Sequence, residues 1–325
     1  MSTVFNSRRI EGAAGSGNKM DVSGWLKGKR IGVLYGGRSA EREISLLSGR
    51  AVLKALKKLK FNATGIDAGP DLPFKLKSKK IDFVYNVLHG PWGEDGTVQG
   101  MLDVMGIPYS GCGVLASALA MDKAFSKKIF EASGIPTPSW QTAYRGGKPP
   151  RISRFPAVVK PAAQGSAIGV SIAGNRAELA SALKKAFRLG DSVVVEDYVA
   201  GTELTVGVLG GRALPAVEIV PDNKFYDFEA KYKKGKSRHI IPPRLPAAVV
   251  KNAQELAVRT FNALGCRAVS RVDIIIDKKG LPWVLEVNTI PGMTETSLLP
   301  DEARAAGLSF GGLILEIIRY SLAQK

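Results

Sequence analysis

The chain has 325 residues, 45% of them hydrophobic and 23% charged, which excludes a disordered chain and leaves room for two or three domains. No apolar run approaches the ~18–20 residues of a membrane helix, and the opening MSTVFNSRRIEGAAGSGNKMD lacks the apolar stretch of a signal peptide, so a cytoplasmic chain with no membrane partner is expected. A net charge of +17 raises nucleic acid as a partner, but the lysines are scattered over helix-like and loop segments without the interleaved aromatics of a single-strand surface, and most read as a solvated basic face.

Residues 1–28, polar and rich in Gly and Ser, read as a flexible arm. RIGVLYGG (30–37) predicts a buried strand ending in a double glycine. Ser39 to Leu59 predicts a helix with Leu46, Leu53 and Leu56 on one face. IDFVYNVLH (81–89) predicts a second buried strand, and strand, glycine turn and helix in succession imply an α/β domain with a mostly parallel sheet. A second block opens at Asp122, a helix N-cap, with Phe125, Ile129 and Phe130 turned inward and a stop at Gly134. Residues 155–172 read as strand, glycine-bearing loop, strand; a helix near 176–189 and the strand SVVVEDYV (192–199) follow. In the third block, strands joined by GG and KKG turns predict antiparallel hairpins, with helices near 247–264 and from Phe310 onward.

The strongest chemical signal is SRVDIIID…LPWVLEVNTIPGMT. Strand alternation turns Asp273 away from Val272 and Ile274, and puts Glu286 and Asn288 on one face. Acids in segments this apolar are costly unless they bind something, and three oxygen donors converging from a hairpin suit Mg²⁺ beside phosphate. The chain has no Walker A motif: Gly235-Lys236-Ser237 lacks the earlier glycine, where Ala230 stands. VVKPAAQGSAIGV offers instead Lys160 at a strand end and a small-residue loop with Gly165, Ser166 and Gly169, able to hold phosphate by backbone N–H groups. Glu196 is a strand acid before a bend whose backbone can meet an adenine. Gly36, Gly37 and Ser39 stand at a helix N-terminus, with Glu41 in the first turn, where an acid also simply complements the helix dipole. His89, at the carboxyl end of its strand, reads equally as a ligand-facing residue and as a hydrogen-bonded structural one. Cys112 and Cys266 read as buried thiols, and the lack of any HxxxH or CxxC pair argues against zinc.

Together the segments GGRSAEREIS, LHGPWGEDGTVQG, MDKAFSK, VVKPAAQGSAIGV, VVVEDYVAGTELTV, FYDFEAKY, SRVDIII and LEVNTIPGMTETSLLP, over about residues 30–321, resemble the D-alanine–D-alanine ligase family of the ATP-grasp superfamily. The resemblance implies an α/β protein, α+β in its ATP-grasp part, divided as a 1–28 arm, an N-terminal domain over 29–111, a central subdomain over 112–196 and a C-terminal one over 197–325. It implies ATP and two Mg²⁺, with Mn²⁺ a possible substitute, joining two D-alanines through D-alanyl phosphate to make a peptidoglycan precursor, in a homodimer with no nucleic-acid partner. It matches Lys123, Lys160 and Lys231 to phosphate-binding lysines, Gly165 and Ser166 to the phosphate loop, and Glu196 and Glu203 to acids around adenine and ribose. Asp273, Glu286 and Asn288 match the metal ligands. Glu41 and His89 match the first D-alanine subsite, Arg271 and the Gly292 N–H the oxyanion site, and Ser297 with the Leu298 backbone the second carboxylate site. Tyr232 matches a residue bonded to Glu41 and Ser166 on a closing loop (225–242), and tyrosine there goes with an amine, not a hydroxy acid, as second substrate. Gln164 and Ala167 depart from the family pattern beside Ser166.

Overall fold

The computed structural model describes residues 20–152, 154–221, 237–294 and 296–323. Its first part runs α1 (Val22–Leu26), β1 (Arg30–Tyr35), α2 (Arg42–Lys58), β2 (Asn62–Asp67), α3 (Leu72–Ser78), β3 (Phe83–Asn86) and α4 (Thr97–Val104). The three strands form a parallel sheet in the order β2-β1-β3. Strands covered on both faces should be apolar throughout; β1 buries four consecutive residues and β3 all four of its own.

The second part runs α5 (Val114–Met121), α6 (Lys123–Ala132), β4 (Trp140–Tyr144), β5 (Ala157–Pro161), β6 (Ser171–Ala173), α7 (Arg176–Ala186) and β7 (Ser192–Asp197), with an antiparallel sheet ordered β4-β7-β5-β6. The third runs β8 (Gly201–Leu209), β9 (Arg212–Ala213), β10 (Val217–Pro221), β11 (Ser237–Ile240), α8 (Ala247–Ala263), β12 (Val269–Asp277), β13 (Pro282–Asn288), α9 (Leu298–Ala305) and α10 (Phe310–Leu322). Its antiparallel sheet is ordered β11-β10-β8-β12-β13, with β9 paired to β8. The GG and KKG hairpins are therefore present as expected.

α10 ties the last segment to the first. It buries Leu313, Ile314, Ile317 and Ile318 in a cluster with Ile31, Val33 and Phe83, each such side chain contributing roughly 1.5–3 kcal/mol by leaving water. α8 sets Leu256, Ala257 and Phe261 against Val206, Val272 and Val284 of the third sheet. Among the described residues no single helix is long and apolar enough to cross a membrane.

Three local expectations need correction. The arm ends before residue 28: α1 is capped by Asp21, buries Val22 and Leu26, and sets Trp25 edge-on to Phe83. The buried face of α2 is Ser45, Ser48, Gly49, Val52 and Leu56, leaving Leu46 and Leu53 only half-buried. The cause is Gly49, whose bare Cα lets the ring of Tyr35 pack where a Cβ would stand. On α6, Asp122 caps as expected, accepting from the N–H groups of Ala124 and Phe125, but Phe125 points outward and Lys127 is buried instead. An ion pair inside the neighbouring cleft accounts for that reversal.

Candidate active site

Two cavities meet between the sheets. The inner one is walled by Glu41, Gly165, Ser166, Arg271, Asn288, Gly292, Ser297 and Leu298. The outer one, the roomier, lies between the second and third sheets and is walled by Lys160, Glu196, Glu203, Asp273 and a run of apolar residues including Val158, Ile172, Leu204, Ile219 and Ile274. Lys123 and Glu286 line both. Their ion pair, 3.3 Å, stands at the boundary.

Lys123 is the first residue of α6, and its Nζ also donates to the Gln164 carbonyl at 2.6 Å. Deeper, Lys160 and Lys127 grip the two oxygens of Glu196 at 2.6 and 2.7 Å. All three are buried. Burial pushes the Glu196 carboxyl up, but the two lysines more than offset it and hold it below the usual range. Burial lowers Lys127 to about 8, with Lys160 adding to that and Glu196 opposing it. Lys127 was missed in the sequence, although its spacing of four from Lys123 puts both on one helix face.

Asp273 lies on β12 opposite Glu286 on β13, and Arg271 opposite Asn288. A bulge follows Asp273, so that Ile274 pairs with Val284 and Leu285 is the extra residue. The bulge turns Leu285 and Glu286 toward the same cavity, which strict alternation would forbid. Arg271 holds Asp273 by two bonds of 2.9 Å, and Thr205 donates to the same carboxylate at 2.7 Å. The Asn288 amide oxygen accepts from the Ile290 N–H at 2.8 Å. Among the described residues no group of three or more His, Cys, Asp or Glu gathers to hold a metal. The donor set here is two carboxylates and an amide oxygen where the two cavities meet, which fits a hard divalent ion that also takes phosphate oxygens.

The loop after β5 reaches across to the first sheet. Ser166 Oγ donates to Glu41, and both are buried. Ser166 and Ala167 have φ of 52° and 57°, a left-handed pair that side chains rarely adopt and that clusters at functional sites. Gly165 has no room for a Cβ, which would stand 2.9 Å from a Glu41 oxygen. Gly292 is similarly close to Ser297, whose Oγ accepts from the Thr294 N–H at 3.0 Å and sits at the N-cap of α9.

His89 does not reach the cavity wall. It is buried, with Nδ1 3.3 Å from Glu94, and Glu94 lines the inner cavity in its place while accepting from the Gly90 N–H at 3.1 Å. The sequence signal for Glu94 lay in the same LHGPWGEDG segment. Lys231 and Tyr232 lie outside the described residues.

Comparison with known proteins decides the lineage. The family profile described as "D-ala D-ala ligase C-terminus" matches residues 129–319, and "D-ala D-ala ligase N-terminus" matches 30–74 and 71–112. The chain belongs to the D-alanine–D-alanine ligase family. It is 48% identical over 294 residues to the D-alanine–D-alanine ligase of Citrifermentans bemidjiense, covering 90% of this chain and 96% of that one. Identity to the Gloeobacter violaceus ligase is 49% over 303 residues, covering 90% and 99%. The Bacillus anthracis ligase structure superposes with a TM-score of 0.81 at 38% identity over 91% of this chain and 98% of that one. The same enzyme complexed with ATP gives 0.80 at 36% identity over the same shares. As a member of the ligase family, the chain has its strongest sequence signals where the two cavities touch.

Proposed function

We propose that this chain joins two D-alanine molecules with ATP, releasing ADP and phosphate, through a D-alanyl phosphate intermediate. The observation that carries this reading is the pair of cavities meeting at Lys123 and Glu286. A nucleotide in the outer cavity would present its terminal phosphate to a carboxylate in the inner one. The apolar walls suit an adenine, Glu203 a ribose hydroxyl, and Lys160 and Lys123 the phosphates. Asp273, Glu286 and Asn288 would hold Mg²⁺, with Mn²⁺ a possible substitute. When bound, that metal neutralises phosphate charge and polarises the transferring group.

The first D-alanine carboxylate attacks the γ-phosphorus and ADP leaves; the second D-alanine amine attacks the acyl carbon and inorganic phosphate leaves. Glu41 would hold the first ammonium. Arg271 and the Gly292 N–H would face the oxygen that gains charge in the tetrahedral intermediate. Ser297 and the α9 N-terminus would take the second carboxylate. The Ser166–Glu41 contact ties the phosphate loop to the ammonium subsite, so both substrates are positioned by one bridge. His89 acts through Glu94, fixing its carboxylate at the wall. For Lys231 and Tyr232, outside the described residues, the family resemblance implies roles in phosphate binding and in bonding to Glu41 and Ser166.

Phosphate release from ATP and Mg²⁺ with purified chain tests the reading. Release should depend on D-alanine and yield the dipeptide. Release that is independent of D-alanine, or a preference for D-lactate at neutral pH, would refute it.

A further inference from the structure

The parallel sheet has two ends, and the reaction uses one. Glu41 follows β1 and Glu94 follows β3, so the cleft lies at the carboxyl ends of the strands. At the opposite end, roughly 20 Å away for a six-residue strand, the connections carry a different chemistry. The turn leaving α2 holds Lys57, Lys58 and Lys60, and the turn leaving α3 holds Lys77, Lys79 and Lys80; all six are exposed. Each turn is closed by its own backbone bond, Lys60 to the Lys57 carbonyl at 2.9 Å and Lys80 to the Lys77 carbonyl at 3.0 Å. None of the six is ion-paired among the described residues.

These two clusters flank the sheet. Val52 and Leu56 of α2 pack with Ile31 and Val33, while Leu72 and Leu76 of α3 pack with Leu34 and Ile66, side chains from the other face of the same strands. Between them stands Arg30, exposed at the start of β1, with exposed Lys27 three residues earlier. The acids near this end are Asp82, bonded to Arg30, and Asp103, which accepts from Tyr109, while Glu43 of α2 and Asp71 before α3 stand at the opposite ends of their helices. The result is a broad basic end three layers wide.

Exposed apolar side chains punctuate it. Leu59 lies between Lys58 and Lys60, Val104 at the end of α4 is 90% exposed, and Phe74, 74% exposed, stands one turn before Lys77. Apolar groups on a monomer surface mark an interaction site when they cluster. Lysines as flexible point charges, with Leu, Val and Phe between them, match a negatively charged bilayer surface. Lysines also attract duplex phosphates, but a duplex has no use for the exposed Leu, Val and Phe between them, and a single strand would favour stacked aromatics.

We infer that this lysine-rich end of the first sheet is a peripheral docking surface for anionic phospholipid membranes, which leaves the ligation cleft facing the solvent. The inference stands apart from the ligase reading, since no residue in it lines either cavity.

The test is co-sedimentation of the full chain with vesicles of phosphatidylcholine alone or with a quarter of phosphatidylglycerol, at about 0.05 M and about 0.5 M salt. The wild type should bind the anionic vesicles at least about tenfold better at low salt and be released at high salt. Replacing the six lysines by glutamine should abolish that preference while D-alanine-dependent phosphate release stays unchanged, which shows the variant to be folded. Phe74→Ser with Val104→Ser should weaken binding without altering its salt dependence. Equal binding to neutral vesicles, no binding at low salt, or undiminished binding by the lysine variant would each overturn the inference. So would tighter binding of duplex DNA or RNA through the same six lysines.

Discussion

The inner and outer cavities are built on opposite principles. The outer one is an apolar slot whose charges are neutralised in place: Lys160 and Lys127 on Glu196, Arg271 on Asp273. The inner one is small and polar, with walls drawn from all three sheets' loops and from α9. A flat heterocycle needs a greasy gap and a few fixed acceptors; two zwitterions and a developing oxyanion need many donors aimed at one point. The contrast teaches where each substitution should be felt. Outer-wall changes should move ATP affinity, inner-wall changes should move turnover, and changes at the Lys123–Glu286 boundary should move both.

The largest effect is expected at Arg271. Arg271→Lys keeps the charge but loses the two-pronged grip on Asp273 and a donor at the inner cavity. Turnover should fall by about 10²–10³, with a smaller change in the KM for ATP. Near wild-type turnover in steady-state assays would remove Arg271 from the reacting centre. Next comes Lys160→Met, which keeps the buried stem but leaves Glu196 to Lys127 alone. The KM for ATP should rise about tenfold, equivalent to ~1.4 kcal/mol of binding, while that for D-alanine stays within about twofold. A matched rise in both would erase the division between the cavities. Glu286→Gln, on the boundary, should raise the Mg²⁺ concentration needed for half-maximal activity several-fold. An unchanged metal titration would take Glu286 out of the ligand set.

Much of this was legible before any coordinates, and unevenly so. Hydrophobic runs gave β1, β3, β12 and β13 because these strands are buried enough for composition to dominate. The Asp122 cap and the GG and KKG hairpins followed from local chemistry that tertiary packing had no reason to override. What failed was periodicity under local exceptions. Gly49 rotates the buried face of α2 by admitting Tyr35, and Lys127 takes the inward position on α6 because Glu196 awaits it 69 residues later in the chain. The β12–β13 bulge is invisible to alternation, yet it aims Glu286. α9 was not foreseen either: Pro300 masks its apolar face. His89 was legible only as one of two possibilities, and the choice lay with Glu94.

The smallest expected effect probes the support behind the inner cavity. Glu302 of α9 is fully buried; one oxygen accepts from the Gly207 N–H at 2.7 Å, and the other has no hydrogen-bond partner among the described residues. Gly207 pairs with Arg271 across β8 and β12, so this carboxyl sits beneath Arg271. Burial raises it from 4.5 to about 8, against the Gly207 bond, which lowers it. The folded chain thus holds this proton more tightly than the unfolded one. The stabilisation is fully present below the unfolded value of 4.5 and is lost as pH climbs toward about 8. Glu302→Gln keeps the shape and the acceptor but cannot ionise. Its denaturation midpoint should therefore fall less than the wild type's between about pH 5 and about pH 8, by up to ~1.4 kcal/mol for each pH unit. Parallel midpoint curves for the two proteins would mean that Glu302 ionises as an ordinary carboxyl. In that case Arg271 would face a second buried anion besides Asp273, and its charge would be spent on the protein itself, leaving less for the tetrahedral intermediate. A flatter curve for the variant would instead fit a neutral Glu302 beneath Arg271, which leaves the guanidinium charge undiminished by that carboxyl.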